Sequence, residues 1–214
     1  MNQDSLSCTN CQTYHCRFLN GGNFPKFCKT SETAQAVIDE TVALYTEDAS
    51  VSRISEAALA AEIEYRGRLT RVEETIVFAQ KMGAKKVGIA TCIGLIEEAK
   101  IFARILESHG LEAVGISCKV GAVDKTALNI LDEQKQNPGC HESICNPILQ
   151  AKLLSQEQTD LNVIIGLCVG HDTLFMQHSQ APMTTLVVKD RVLAHNPVGA
   201  LYTSHSFYKK IKAK

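Results

Sequence analysis

Beyond residue 83 the spacing of apolar residues changes from helical to extended, and the two patterns then alternate. Lys86-Val87-Gly88-Ile89-Ala90-Thr91 is a short, nearly continuous apolar run. A strand buried on both faces requires such a run. Leu95, Ala99, Phe102 and Leu106 follow as one helical stripe, closed by Gly110. Residues 111–117 read as a second strand, 161–167 as a third and 184–188 as a fourth, with a helix over 171–179. Strands that alternate with helices form a parallel sheet with right-handed crossovers. The pattern predicts an α/β fold, a Rossmann-like three-layer domain with a mainly parallel sheet over 68–214. Residues 192–195 are expected to fold back on the fourth strand through Lys189-Asp190, a pair poorly suited to a tight hairpin.

Upstream, residues 1–30 lack apolar periodicity and contain Gly21-Gly22 and Pro25. They cannot bury a core alone, the usual condition of a metal-dependent knuckle. Residues 31–67 read as a helical segment. One helix, capped by Thr30 or Ser31, runs to Glu47; a second runs over 54–66 and stops at Gly67. A third opens with the capping box Thr70-Arg71-Val72-Glu73 and ends at Gly83. Residues 119–144 form a long connection with a weak helical pattern over 125–133. Loops of that length usually cover a site or are disordered.

With 22 Lys and Arg against 23 Asp and Glu, the formal net charge is −1. That balance gives no electrostatic case for nucleic acid or a membrane surface. The first five residues are polar and no apolar run approaches a spanning helix, so a cytoplasmic protein is expected. Thiols stay reduced there, and the nine cysteines read as ligands or reactive groups rather than bridges.

Four cysteines lie early, spaced Cys8-x2-Cys11-x4-Cys16-x11-Cys28. A C-x2-C pair bites one metal from a tight turn, and two more thiolates complete a tetrahedron. Four thiolates suit structural zinc, rubredoxin-type iron or a four-iron cluster. His15 can replace a cysteine, and Phe18, Phe24 and Pro25 offer shielding.

Four others stand at element ends. Cys92 closes the first strand, Cys118 the second and Cys168 the third, while Cys145 precedes Asn146-Pro147 at a helix start. In open α/β sheets ligands bind beyond the carboxyl ends of the strands, so these thiols can share a site. Helix N-termini beside Cys92, Cys145 and Cys168 favour thiolates. Gly94, Gly166 and Gly170 would let backbone approach a bulky ligand. The competing reading is that each cysteine is a small buried hydrophobe. Without a histidine set, three or four thiolates suit an iron–sulfur cluster better than catalytic zinc. Cys118, Cys145 and Cys168 would hold it, with Cys92 as fourth ligand or free thiol.

Lys119 is a candidate for holding an anionic substrate or favouring a thiolate, and equally a solvated loop lysine. His171 and Asp172 are candidates for acid–base work, and equally a helix cap and first-turn acid. His195-Asn196-Pro197 reads as a turn. Cys140 reads as a spare thiol.

Four segments carry a resemblance: Gly88-Ile89-Ala90-Thr91-Cys92-Ile93-Gly94-Leu95, Cys145-Asn146-Pro147-Ile148, Gly166-Leu167-Cys168-Val169-Gly170-His171-Asp172, and the run from Leu186 to Pro197. Together with the N-terminal cysteines they resemble an uncharacterised family of prokaryotic metal-binding proteins, mainly from anaerobic bacteria and archaea. The resemblance implies metal binding and no particular reaction. It implies Cys8, Cys11, Cys16 and Cys28 as the metal site, and makes Cys92, Cys118, Cys145 and Cys168 motif positions. From the cysteines themselves two functions are expected, beside nucleophilic cysteine chemistry without a cluster, carrying a persulfide. One is sulfur transfer, desulfuration or reduction of a small substrate or redox partner at the strand ends. The other is a non-catalytic zinc protein or a redox or metal sensor.

Overall fold

The structure, a computed structural model, describes residues 6–18 and 23–212. The polar start over residues 1–5, Gly21-Gly22 and the last two residues of the basic tail lie outside the described residues. The chain divides into two compact units, one ending at Glu56 and the other beginning at Ala57.

The first unit holds two single 3-10 turns, Cys8–Asn10 and His15–Arg17, then helices α1 (Lys29–Glu32) and α2 (Gln35–Glu47). The one helix expected to reach Glu47 is therefore broken. Thr33 and Ala34 are extended, and the Thr33 hydroxyl donates back to the Lys29 carbonyl at 2.6 Å, ending the first turn. None of these four elements buries a residue. Helix α3 (Ala49–Tyr65) starts earlier than the sequence pattern suggests. The Asp48 carboxylate accepts the Ser50 and Val51 N–H groups at 2.8 and 3.1 Å and caps it.

In the second unit, α4 (Arg71–Lys81) begins at the reciprocal Thr70–Glu73 box. The order then runs β1 (Lys86–Thr91), α5 (Ile96–Ser108), β2 (Glu112–Ser117), α6 (Pro147–Gln156), β3 (Leu161–Ile165), α7 (His171–His178), β4 (Met183–Val187) and α8 (Val198–Tyr202). All three strand pairings are parallel and the sheet order is β2-β1-β3-β4. This is the α/β architecture that the alternating pattern predicts. Central β1 and β3 are buried almost throughout, whereas edge strands β2 and β4 are partly covered. Helices α4 and α5 line one face, where Val72, Phe102 and Ile165 border one groove; α6 and α7 pack together on the other. The predicted stripe of α5 is its buried face, Ala99, Phe102 and Leu106.

Two close approaches explain particular residues. A Cβ on Gly88 would stand 2.1 Å from Asn162 Oδ1 and 3.0 Å from Leu154 Cδ2. Asn162 cannot retreat, because it is buried and bonded to Thr159 Oγ1 and Ser179 Oγ. Gly166 has φ +64° and faces Leu95, so its freedom serves packing rather than ligand approach.

The expected strand over 192–195 does not form. The Asp190 carboxylate accepts the Val192 and Leu193 N–H groups at 2.9 and 2.8 Å, and His195 N–H returns to the Asp190 carbonyl. Ala194 and His195 are left-handed, which a strand excludes. The long connection between β2 and α6 is pinned rather than loose. The Lys135 side chain, 5 % exposed, lies between Asp124 and Asp132 at 2.9 and 2.8 Å, and Lys125 pairs with Glu142. Its weak helical pattern becomes two 3-10 turns, Lys125–Leu128 and Asp132–Gln134. Among the described residues no helix is long and apolar enough to cross a membrane.

Candidate functional site

Chain order runs from β1 to β2 in one direction, then returns past β1 to β3. The crevice at the carboxyl ends of β1 and β3 is therefore the sheet's switch point, where ligands of such folds bind. The strand ladders carry cysteines to its rim. Cys92 N–H donates to the Ile165 carbonyl at 3.2 Å, one step past the β1–β3 pairing. Cys118 N–H donates to the Thr91 carbonyl at 2.8 Å, one step past β1–β2. Asn146 N–H donates to the Cys118 carbonyl at 2.7 Å, which sets Cys145 beside Cys118. Asn146 then caps α6 through its side chain, with Pro147 in the first turn. Cys168 lies three residues before α7, its carbonyl accepting the His171 and Asp172 N–H groups. Beneath them Gln150, fully buried, donates to the Thr91 and Ile116 carbonyls and ties the ends of β1 and β2 together.

The thiols feel one another. The Cys118 side chain interacts with Cys92 and Cys145, and Arg191 feels the charge of Cys168, Cys92 and Cys145. Cys92 and Cys118 are buried, while Cys145 and Cys168 are half-buried. Burial opposes ionisation of Cys92, but the Gly94 N–H and the Lys189 ammonium outweigh it, and its thiol lies below the ordinary range. Burial pushes the Cys118 thiol up to about 12, against one Ile93 N–H that donates to its sulfur at 3.3 Å. Thiolate charge on Cys145 and Cys92 pushes it the same way. Adjacent groups whose ionisation is driven apart mark places where chemistry is assigned.

Two cations at these sulfurs have no counterpart in the sequence reading. Arg191 Nη2 donates to Cys168 Sγ at 3.2 Å. A methyl group on Gly94 would lie 3.4 Å from Lys189 Nζ and 3.9 Å from Cys92 Sγ, so the ammonium and the thiol flank that glycine. In sequence Lys189 reads only as part of the connection to residues 192–195, and Arg191 only as part of the run from Leu186 to Pro197. The usable signal was the two-residue spacing after a strand end.

The other candidates stand as follows. Lys119 Nζ donates to the Ser143 carbonyl at 2.6 Å and anchors the loop that carries Cys145. Asp172 accepts the Gly170 and Thr173 N–H groups and caps the first turn of α7. His171 is half-buried at the same helix start. Cys140 is exposed, and its carbonyl accepts from Lys135. The apolar groove of about 440 Å³ between α4 and α5, lined by Val72, Ile101, Phe102, Ile105 and Leu186, contains no thiol.

In the first unit, Cys8 opens one 3-10 turn, Cys16 lies in the other and Cys28 precedes α1. Hydrogen bonds from the Tyr14 N–H and from Thr13 favour the Cys11 thiolate. Burial opposes the Cys28 thiolate, and the Ser31 and Thr30 N–H groups prevail. His15 and Phe24 meet edge to face at 6.5 Å. Among the described residues no three His, Cys, Asp or Glu side chains close around a point that a single metal ion could occupy. The donor chemistry of both cysteine sets nonetheless fits thiophilic metals.

A sequence profile described as "Protein of unknown function (DUF1847)" matches residues 28–186. "Uncharacterized protein MJ0455" of Methanocaldococcus jannaschii is 45% identical over 189 residues, 88% of this chain and 93% of that protein. The profile spans Cys28 and all four strand-end cysteines and begins after Cys8, Cys11 and Cys16.

Proposed function

The chain belongs to the DUF1847 family, and on that premise we propose that it is a sulfur-handling metalloprotein with its working centre at Cys92, Cys118, Cys145 and Cys168. What supports the reading is that Cys118 interacts with Cys92 and Cys145 at the ends of neighbouring strands, while Arg191 bonds Cys168 and also feels Cys92 and Cys145. In this reading Cys118, Cys145 and Cys168 hold an iron–sulfur cluster, and Cys92 is the thiol left to face substrate. Such a cluster, when bound, supplies an iron open to the sulfur or oxygen of a small molecule. The reaction class is sulfur transfer, desulfuration or reduction.

The chain's own groups have separate roles. Gly94 N–H and Lys189 hold the Cys92 sulfur in its ionised form. Lys119 keeps the loop bearing Cys145 against the end of β2 through Ser143. His171, beside Cys168, carries a proton to or from substrate, and Asp172 fixes the helix start on which it rides. Cys8, Cys11, Cys16 and Cys28 form a separate zinc or iron site that orders the N-terminal segment. Its described elements bury no residue, so metal capture and folding are one event there.

The test is purification without oxygen, followed by visible and EPR spectra. The reading expects charge-transfer absorption and an EPR signal on reduction. A colourless, iron-free protein that contains zinc alone would replace it with the non-catalytic reading, a zinc scaffold or sensor.

A further inference from the structure

We propose that Lys189 and Arg191 form an anion-recognition pair, and that the substrate of the cysteine centre is a small oxyanion carrying a thiol-reactive sulfur. The inference rests on the strand-end reading of the centre and names its substrate class.

Three observations carry it. First, both cations leave the same turn after β4 and reach different thiols, Lys189 towards Cys92 and Arg191 to Cys168. One cation therefore stands at the thiol that follows β1 and the other at the thiol that follows β3. Second, among the described residues neither cation lies within ion-pair distance of a carboxylate. The nearest acids in sequence are turned to backbone: Asp190 accepts the Val192 and Leu193 N–H groups, and Asp172 those of Gly170 and Thr173. Third, the turn is rigidly specified. The Asp190 bonds and the contact of Asp190 N–H with His195 Nδ1 at 3.1 Å fix the residues between the cations. Arginine presents a planar fork and lysine a point charge, a combination suited to an oxyanion of two or more oxygens. A pair of cations alone would serve phosphate equally well. Cys92, the thiol left outside the cluster, has use for a ligand with a reactive sulfur of its own: its thiolate attacks the outer sulfur of thiosulfate, the S–S bond breaks, and sulfite leaves with the bonding pair, giving a Cys92 persulfide.

Equilibrium dialysis of the full-length reduced chain with thiosulfate as probe tests the pair. It is run on protein prepared without oxygen and on the same protein after iron chelation. Saturable binding of one thiosulfate per chain is expected in both preparations, because the chain's own side chains make the contacts. Lys189→Gln and Arg191→Gln should each weaken it about tenfold, the scale of one lost charge-assisted hydrogen bond. Lys100→Gln, which removes an exposed surface cation paired with Glu97, should leave it unchanged. Thermal melting confirms that each variant is folded. Absence of saturable binding, or equal binding in the folded Lys189 and Arg191 variants, overturns the pair. Equal affinity for inorganic phosphate overturns the sulfur assignment. Iron and sulfide content, measured on the same preparations, judges the cluster reading separately.

Discussion

Cys92 and Cys118 stand one residue beyond neighbouring strands, yet their surroundings treat them oppositely. Burial resists both thiolates. At Cys92 it is overcome by Gly94 N–H and Lys189; at Cys118 it prevails. A lowered thiol is more fully ionised at neutral pH, and the thiolate is the nucleophile. Alkylation by iodoacetamide, resolved by peptide mass spectrometry, should therefore show Cys92 reaching half its limiting rate below the ordinary thiol value of about 8.5. Cys118 should stay unreactive until strongly alkaline pH. Removing the ammonium with Lys189→Gln should move the Cys92 profile upward. A Cys92 profile that does not move would show that Lys189 does not act on that sulfur. At this scale the cysteines were legible in the sequence, since strand-end residues meet at a sheet's edge whatever their separation along the chain. Lys189 and Arg191 were not, because a cation in a turn points to solvent unless a fold-specific bend turns it back. Asp190 makes that bend, and with it the expected return of residues 192–195 onto β4 does not occur.

At the level of elements, the strands and helices of the second unit follow from periodicity because burial is simple there. β1 and β3 are covered on both faces and α5 on one, so their patterns are nearly pure. The pattern misleads where side chains rather than burial decide. Thr33 breaks the helix before α2, and Asp48 starts α3 early. Gly88 offers a direct test of the packing. Gly88→Ala forces a methyl into Asn162 and Leu154 and should cost about 1–3 kcal/mol in urea unfolding. An unchanged midpoint would mean that β1 and α6 are not packed as described.

The connection between β2 and α6 gives a second test. The Lys135 ion pair, with the Thr126 and Glu142 N–H groups, holds the Asp124 carboxyl well below the usual carboxylate range; Asp132 and Glu142 are lowered too. A lowered carboxylate contributes stability that is complete above its unfolded value and is lost as pH falls towards the folded one. Lys135 is raised by Asp132 and Asp124, and its contribution is complete below the ordinary lysine range. The loop should resist proteolysis at neutral pH and open as pH falls below about 4. Lys135→Met should open it at neutral pH, with cleavage between residues 119 and 146. Since the loop carries Cys145, the same variant should lose the joint behaviour of Cys118 and Cys145 in alkylation. Loop protection equal to wild type would refute the ion-pair latch.

For the whole molecule, the two cysteine sets belong to different units and different physics. The strand-end set is placed by a folded sheet before any ligand arrives. The N-terminal set lies in elements without a buried residue, where only a ligand can supply closure. This explains why the fold of the second unit could be read from pattern, while the arrangement of the first 30 residues could not. Metal identity was not legible for either set, because four thiolates suit zinc and iron alike. The most direct measurement is iron, zinc and acid-labile sulfide per chain after oxygen-free preparation of wild type, Cys11→Ser, Cys145→Ser and Cys168→Ser. Iron and sulfide should disappear in the Cys145 and Cys168 variants. In Cys11→Ser sulfide persists at the strand ends while the N-terminal metal is lost. If Cys11→Ser removes all the metal, and Cys145→Ser and Cys168→Ser match wild type, the strand-end centre holds no cluster and the central claim is wrong.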